Sequence, residues 1–396
     1  ANSASSTGRP SAPATQLLGH TLVPYPGGGA TSARFGEPRS ATDYDRPMRE
    51  LRSLPKAHLH LHFTGSMSIE SLRHLGELAG MPLHESLVDA DALLVPLNER
   101  GWFRFQRLYD LARNVVNSEA AMRFIVSQAA RDDAAEGSRR LELQVDPSTY
   151  APFVGGLAPA IEIILDEAAR ASAETGVQVA IVVAASRVRH PLDARTIARL
   201  AARHAGANEV IAFGLSNNER AGATADWAPA FRIARNAGLP GVPHAGELLG
   251  PSHVRQVVEH LRPARLGHGV RSAEDPRLLD ELVNAGIALE VCPSSNVHLG
   301  VYRDVTDVPL RRLVDAGATV ALGADDPLLF LSRLTDQYEL ARTRLGFSDA
   351  ELARLAGASI RASLASEVDK QRWLTEVDAW LAAPDPGQPM ALSDRT

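Results

Sequence analysis

The chain has 396 residues, 45% of them apolar and 22% charged, close to the averages of globular domains. This excludes a disordered chain, a collagen and a coiled coil, and no apolar run approaches the roughly 20 residues of a membrane span. A net charge of −6 argues against a nucleic-acid or anionic-membrane partner, although a local basic patch is compatible with it.

Residues 1–47 are rich in Ser, Pro, Gly, Ala and Thr, with Gly27-Gly28-Gly29, and read as a disordered or loosely packed arm. An arm that packs on a partner subunit is the functional alternative, and a homo-oligomer is compatible with the sequence. There is no basic stretch followed by an apolar core, so no secretory signal is expected. The single cysteine, Cys292, rules out an intrachain disulfide and fits a reducing cytosol, so a cytoplasmic protein is expected.

From Arg49 onward, short apolar runs alternate with amphipathic stretches. The strand-like runs are 57–63, 141–145, 177–184, 210–215, 241–245, 264–268, 288–291 and 319–322. Helical patterns lie at 105–116, 121–135, 158–175, 193–207 and 227–237. Apolar strands separated by helices indicate a parallel sheet covered on both faces. Eight such units predict an α/β fold of the (β/α)8 TIM-barrel type. The runner-up, a doubly wound open sheet, lacks its Gly-rich phosphate turn. The long segment 67–140 predicts a helical insertion after the first strand, part of it covering the barrel mouth. Its Gly101-Trp102-Phe103-Arg104-Phe105 is assigned to ordinary core packing rather than to a pocket. Ser348-Asp349-Ala350-Glu351 is a capping box that opens a helix, with two further amphipathic helices running to about Ala382. The barrel domain is therefore placed at 48–383 and a flexible tail at 384–396.

Catalytic groups of such barrels sit at the C-terminal ends of the strands. The first strand ends in His58-Leu59-His60-Leu61-His62-Phe63-Thr64-Gly65. Residues i and i+2 share a strand face, so His60 and His62 aim two imidazoles inward, with His58 one layer deeper. His244, in Gly241-Val242-Pro243-His244-Ala245-Gly246-Glu247, can add a third. Glu247 falls on the loop where a proton donor would overhang the mouth. His268 lies between Gly267 and Gly269, which permit close approach. Asp325-Asp326-Pro327 ends the eighth strand, and its carboxylates can serve a metal and a substrate hydrogen separately. Singly, each motif has an ordinary explanation as a core histidine or a polar turn. Together, three imidazoles and a carboxylate suit one Zn²⁺ per chain and a hydrolysis.

These motifs resemble the adenosine deaminase family of the amidohydrolase superfamily. Leu54-Pro55-Lys56-Ala57-His58-Leu59-His60-Leu61-His62, His244-Ala245-Gly246-Glu247, Gly267-His268-Gly269, Val291-Cys292-Pro293-Ser294-Ser295-Asn296 and Asp325-Asp326-Pro327-Leu328 stand in that family's order, over about 54–363. The resemblance implies that His60, His62, His244 and Asp325 hold zinc and that His268 orients the attacking water. It implies that Glu247 protonates N1 of a 6-aminopurine and that Asp326 meets N7.

Three positions depart from the pattern. Thr64 stands where adenosine-specific members have an aspartate for the ribose 5′-hydroxyl. Asn217 stands at a glycine whose N–H meets N3. Gln144 replaces an arginine after Glu142. The expected substrate is therefore adenosine or a 5′-modified adenosine such as aminodeoxyfutalosine, 5′-deoxyadenosine or methylthioadenosine. Alternatives are adenine as free base, a non-purine metal-dependent amidohydrolase, and a non-catalytic ligand-binding barrel. Cys292 is expected as a buried small residue, and Arg187 as a structural ion pair rather than a substrate contact.

Overall fold

The computed structural model describes residues 48–87 and 99–384. The expected arm, 1–47, and all of the expected tail except Pro384 lie outside the described residues. Eight strands form one sheet in the order β1 to β8: Lys56–His62, Ser138–Val145, Gln178–Ser186, Val210–Ser216, Gly241–Ala245, Arg265–His268, Ala288–Val291 and Val320–Leu322. Every neighbouring pair is parallel. The backbone closes the ring beyond β8, where Asp325 N–H donates to the His60 carbonyl at 3.1 Å and His62 N–H to the Asp325 carbonyl at 3.0 Å. The TIM barrel expected from the sequence is therefore present. No helix among the described residues is long and apolar enough to cross a membrane.

Between β1 and β2 stand α1 (Ile69–Ala79), α2 (Glu99–Arg113) and α3 (Glu119–Ala135). The connections after β2 to β5 carry α4 (Leu157–Thr175), α5 (Pro191–Arg203), α6 (Ala228–Asn236) and α7 (Pro251–Leu261). Those after β6 and β7 carry α8 (Pro276–Asn284), α9 (Pro293–His298) and α10 (Leu310–Asp315). Beyond β8 come α11 (Pro327–Phe330), α12 (Leu334–Thr343), α13 (Asp349–Ala362) and α14 (Glu367–Ala382).

Two differences from the sequence pattern have local causes. Helix α5 ends at Arg203 rather than 207, because Val210 N–H bonds the His204 carbonyl and Gly206 N–H the Val210 carbonyl, turning the chain into β4. The capping box forms, with Ser348 N–H donating to Glu351 at 2.8 Å, but one helix follows α13 rather than two. The extra helix, α12, precedes it.

Outward strand residues pack on the helices in one large core. The lumen is divided. Ala180, Val182, Ala212 and Val242 fill the β3–β5 side. The other side holds a buried ionic chain in which Arg265 donates to Glu290 and to Glu142, each at 2.6 Å, and Arg140 donates to Glu142 at 3.3 Å. Burial alone would loosen the Arg265 proton, but these two carboxylates hold it on. Buried charges persist only when paired in this way.

Candidate active site

The ionic chain ends under the C-terminal mouth of the barrel. Glu290 places its second oxygen 2.8 Å from His60 Nδ1, fixing the ring and turning Nε2 inward. That Nε2 is buried without a hydrogen-bond partner and lies 3.5 Å from Asp325 Oδ1. His62 Nε2 lies 3.1 Å from the same oxygen. The His244 ring stands 4.8 Å from that of His60 and 5.1 Å from that of His62. Ligand atoms of His60, His62 and His244 lie within 4.8 Å of one another. The other Asp325 oxygen accepts from Ser295 Oγ at 2.5 Å.

This donor set fits a metal ion. A ligand histidine characteristically gives its other ring nitrogen to a carboxylate, as His60 does to Glu290. Two buried carboxylates, Asp325 and Glu290, also demand positive charge at this point. Burial opposes charging His60, yet the neighbouring Asp325 and Glu290 carboxylates raise its pKa to about 10. Burial pushes His62 and His244 down, which leaves them neutral donors. Burial likewise raises Asp325, but His60 and His62 outweigh it and keep the carboxylate ionised.

Around these residues stand the expected acid and base groups. The His268 ring is 4.7 Å from that of His60, and its Nε2 is 3.7 Å from Glu247 Oε2. Burial and the nearby His60 lower His268 to about 3, so it is a neutral imidazole. Burial, then Asp325 and Glu219, raise Glu247 well above the carboxylate range. Burial and Asp325 do the same for Asp326, whose Oδ1 has no hydrogen-bond partner. A Cβ at Gly65 would stand 1.7 Å from that oxygen, and one at Gly267 would stand 2.6 Å from His244 Cδ2, so both glycines are needed for close approach. His268 and Asp325 hold left-handed backbone angles, φ 64° and 63°, which non-glycine residues adopt only under constraint.

A cavity of about 360 Å³ opens over the site. His62, His244, Glu247, His268, Asp325 and Asp326 form its floor, and Trp102, Phe103, Phe105 and Tyr109 of α2 form one wall. The aromatics of the insertion thus line the cavity, correcting the expectation of core packing alone. Trp102 and Phe105 do both, since each is 6% exposed and Phe105 stacks on Phe330 at 5.4 Å. At the rim, Arg113 lies 3.2 Å from Asp110 and Arg189 lies 3.9 Å from Asp146.

The residues that departed from the family pattern fall in different places. Asn217 lines the cavity at φ 75°, and its side chain accepts from the Asn218 N–H at 2.7 Å. Asparagine therefore keeps the left-handed turn that a glycine would make. Gln144 lies on the floor, its Nε2 3.2 Å from His62 Nδ1 and 3.0 Å from His244 Nε2. Thr64 does not face the cavity. It is fully buried, and its hydroxyl pairs with the Tyr150 hydroxyl at 2.5 Å, so Tyr150 presents the polar surface there. Thr64 therefore stands behind Tyr150 rather than on the cavity wall.

Sequence reasoning missed Glu290, Arg265 and Tyr150 as parts of this site. A charge in a short apolar strand is the signal that could have found Glu290 and Arg265. His58 is structural, bonding Asp133 at 3.0 Å and the Ala324 N–H at 3.1 Å. Cys292 is buried with its thiol pushed up by burial and by Asp325, as expected of a packed side chain. Arg187 is buried and does not line the cavity; it donates to the His244 carbonyl at 2.9 Å, a backbone bond in place of the expected ion pair.

Comparison with known proteins gives the family and the fold. The sequence profile described as adenosine deaminase matches residues 55–380. A Streptomyces coelicolor relative, provisionally named an adenosine/adenine deaminase, is 53% identical over 85% of this chain and 99% of its own. The adenine deaminase of Rhizobium meliloti is 34% identical over 81% of this chain and 97% of its own. Among solved structures, an adenine deaminase from Arthrobacter aurescens superposes with a TM-score of 0.77 at 29% identity, covering 83% of this chain and all of that one.

Proposed function

This chain belongs to the adenosine deaminase family, hydrolases of carbon–nitrogen bonds, and we propose that it is a zinc-dependent deaminase of 6-aminopurines. The observation that carries this reading is that ligand atoms of His60, His62 and His244 lie within 4.8 Å of one another, with Asp325 Oδ1 3.5 Å from His60 and 3.1 Å from His62, under a cavity that Glu247 and Asp326 also line. Those four residues would hold the ion, which supplies Lewis acidity and lowers the pKa of water to roughly 7. Glu247, kept protonated by its dry surroundings, gives its proton to N1 and so makes C6 electrophilic. His268 stands beside the incoming water and fixes its direction. Asp326, as a carboxyl, donates its unpartnered side to N7 and sets the plane of the ring. Water adds at C6, ammonia leaves, and the 6-oxopurine remains.

The preferred substrate is a nucleoside whose 5′ position carries no free hydroxyl, such as aminodeoxyfutalosine, 5′-deoxyadenosine or methylthioadenosine. The cavity continues past the purine seat to Tyr150, Arg113 and Asp146, and no carboxylate stands at Thr64 to meet a 5′-hydroxyl. Free adenine is the second reading, favoured by the relatives named adenine deaminase. Ammonia release from adenine, adenosine, 5′-deoxyadenosine, methylthioadenosine and aminodeoxyfutalosine separates the two, alongside metal analysis. One zinc per chain with no ammonia from any of them would point to a non-purine amidohydrolase. No zinc and no turnover would mean a binding protein.

A further inference from the structure

Glu247 must hold a carboxylate in one place, yet its own side chain has little to hold it. The side chain facing it is the neutral imidazole of His268, whose Nε2 is 3.7 Å away, beyond hydrogen-bond length. Its position therefore comes from its backbone, and that backbone is gripped from outside the cavity. Glu219, on the loop after β4, is 1% exposed and does not line the cavity. One of its oxygens accepts from the N–H groups of Leu248 and Leu249 at 2.6 and 2.7 Å. The other accepts from the Glu247 N–H at 3.4 Å. On the preceding residues, Arg187 holds the His244 carbonyl at 2.9 Å, and Gly246 makes the left-handed turn between them at φ 72°. Arg271 closes the far side by donating to the Leu248 carbonyl at 2.7 Å.

We propose that Glu219 is a positioning residue for the reaction. Its carboxylate clamps three successive N–H groups and thereby sets the height and angle of Glu247 over the floor. The proposal rests on the reading of Glu247 as the proton donor. A buried glutamate that only stabilised the fold would need no such focus. Here all three of its backbone bonds fall on the Glu247 turn, and its second oxygen faces His253 Nδ1 at 3.6 Å, on the helix that follows that turn. Misplacing a catalytic group by about 1 Å can cost about a hundredfold in rate.

The test uses the full-length, zinc-loaded protein with Glu219→Gln and Glu219→Ala. Glutamine keeps one acceptor oxygen for Leu248 and Leu249 but turns an N–H toward Glu247. We expect kcat to fall about tenfold for Gln and about a hundredfold for Ala, with KM within about twofold and zinc content unchanged. Amide exchange should rise about tenfold or more at 247–249, in the order Ala above Gln, while 241–245 in β5 stays protected. Unaltered exchange at 247–249 removes the clamp. A lower Tm with normal kcat per zinc-loaded site leaves a structural residue only and overturns the proposal. Exchange does not depend on turnover. If the unmutated protein deaminates no purine, the reading of the site fails visibly on its own, and the catalytic role of the clamp falls with it.

Discussion

The floor of the cavity and its rim are held by opposite means. On the floor, His60 is backed by Glu290, Asp325 by Ser295, and Glu290 by Arg265, all nearly or fully buried. At the rim, Phe103 is 67% exposed, and the Asp110 and Arg189 side chains are 55% and 46% exposed in their ion pairs. Exposed pairs contribute about 0–1 kcal/mol, whereas a buried one cannot be opened without stranding a charge. The barrel strands fix where bonds change, and the insertion after β1 offers a surface that can be altered without disturbing them. One part of the molecule is built to be invariant in geometry and the other to tolerate change in what it admits.

Substitutions on the floor should test this contrast most severely. Asp325→Asn removes a charged ligand, and we expect loss of bound zinc together with a fall in turnover of about a thousandfold or more. A full equivalent of metal in that variant would show that the four residues do not form one centre. Glu247→Gln should keep its zinc and lose about a hundred- to ten-thousandfold in kcat; near-normal ammonia release would end its assignment as proton donor. Glu290→Gln reaches the floor from behind. Metal titration should show affinity weakened about ten- to a hundredfold, with turnover returning at high zinc.

At the rim the effects should be selective rather than disabling. Tyr150→Phe is expected to shift kcat/KM between adenine and the 5′-modified nucleosides by about tenfold, with zinc content unchanged. Equal losses on all substrates would place Tyr150 with the floor instead. Thr64→Asp should raise adenosine relative to the 5′-deoxy compounds, provided the new carboxylate displaces the tyrosine hydroxyl. The smallest effect belongs to the frame under both regions. Burial would raise Glu351, but Arg311 and Ser348 hold its pKa at about 2 against an ordinary 4.5. A depressed carboxylate stabilises the fold above pH 4.5 and loses that contribution as the pH falls toward 2. Since the group is partly exposed, Glu351→Gln should cost about 1 kcal/mol near pH 7, and the difference in denaturation midpoint should vanish by about pH 2.

The same division explains what could be read from the sequence. Strands β1 to β8 are legible because short, largely apolar runs recur between amphipathic helices, and His60, His62, His244 and Asp325 because polar side chains stand out at the ends of such runs. Thr64 was misplaced in space because its partner, Tyr150, lies 86 residues away, beyond any local pattern. The clamp of Glu219 on Leu248 spans 29 residues and involves backbone atoms, which have no letter in the sequence. Trp102 and Phe105 carry the periodicity of a core helix, and periodicity does not distinguish packing against protein from packing around an opening. Helix α12 lacks a Ser, Thr, Asp or Asn at its N-cap, where Arg333 stands, so the sequence signals a helix start only at Ser348.

Two of the floor residues also limit how far this protein can be made sturdier. His268 and Asp325 sit at backbone angles where glycine would rest with less strain. Glycine at His268 would relax the backbone and remove the imidazole beside Glu247, whereas at Asp325 it would also strand the buried histidines that pair with it. Screens for hardier versions therefore have to count product as well as survivors.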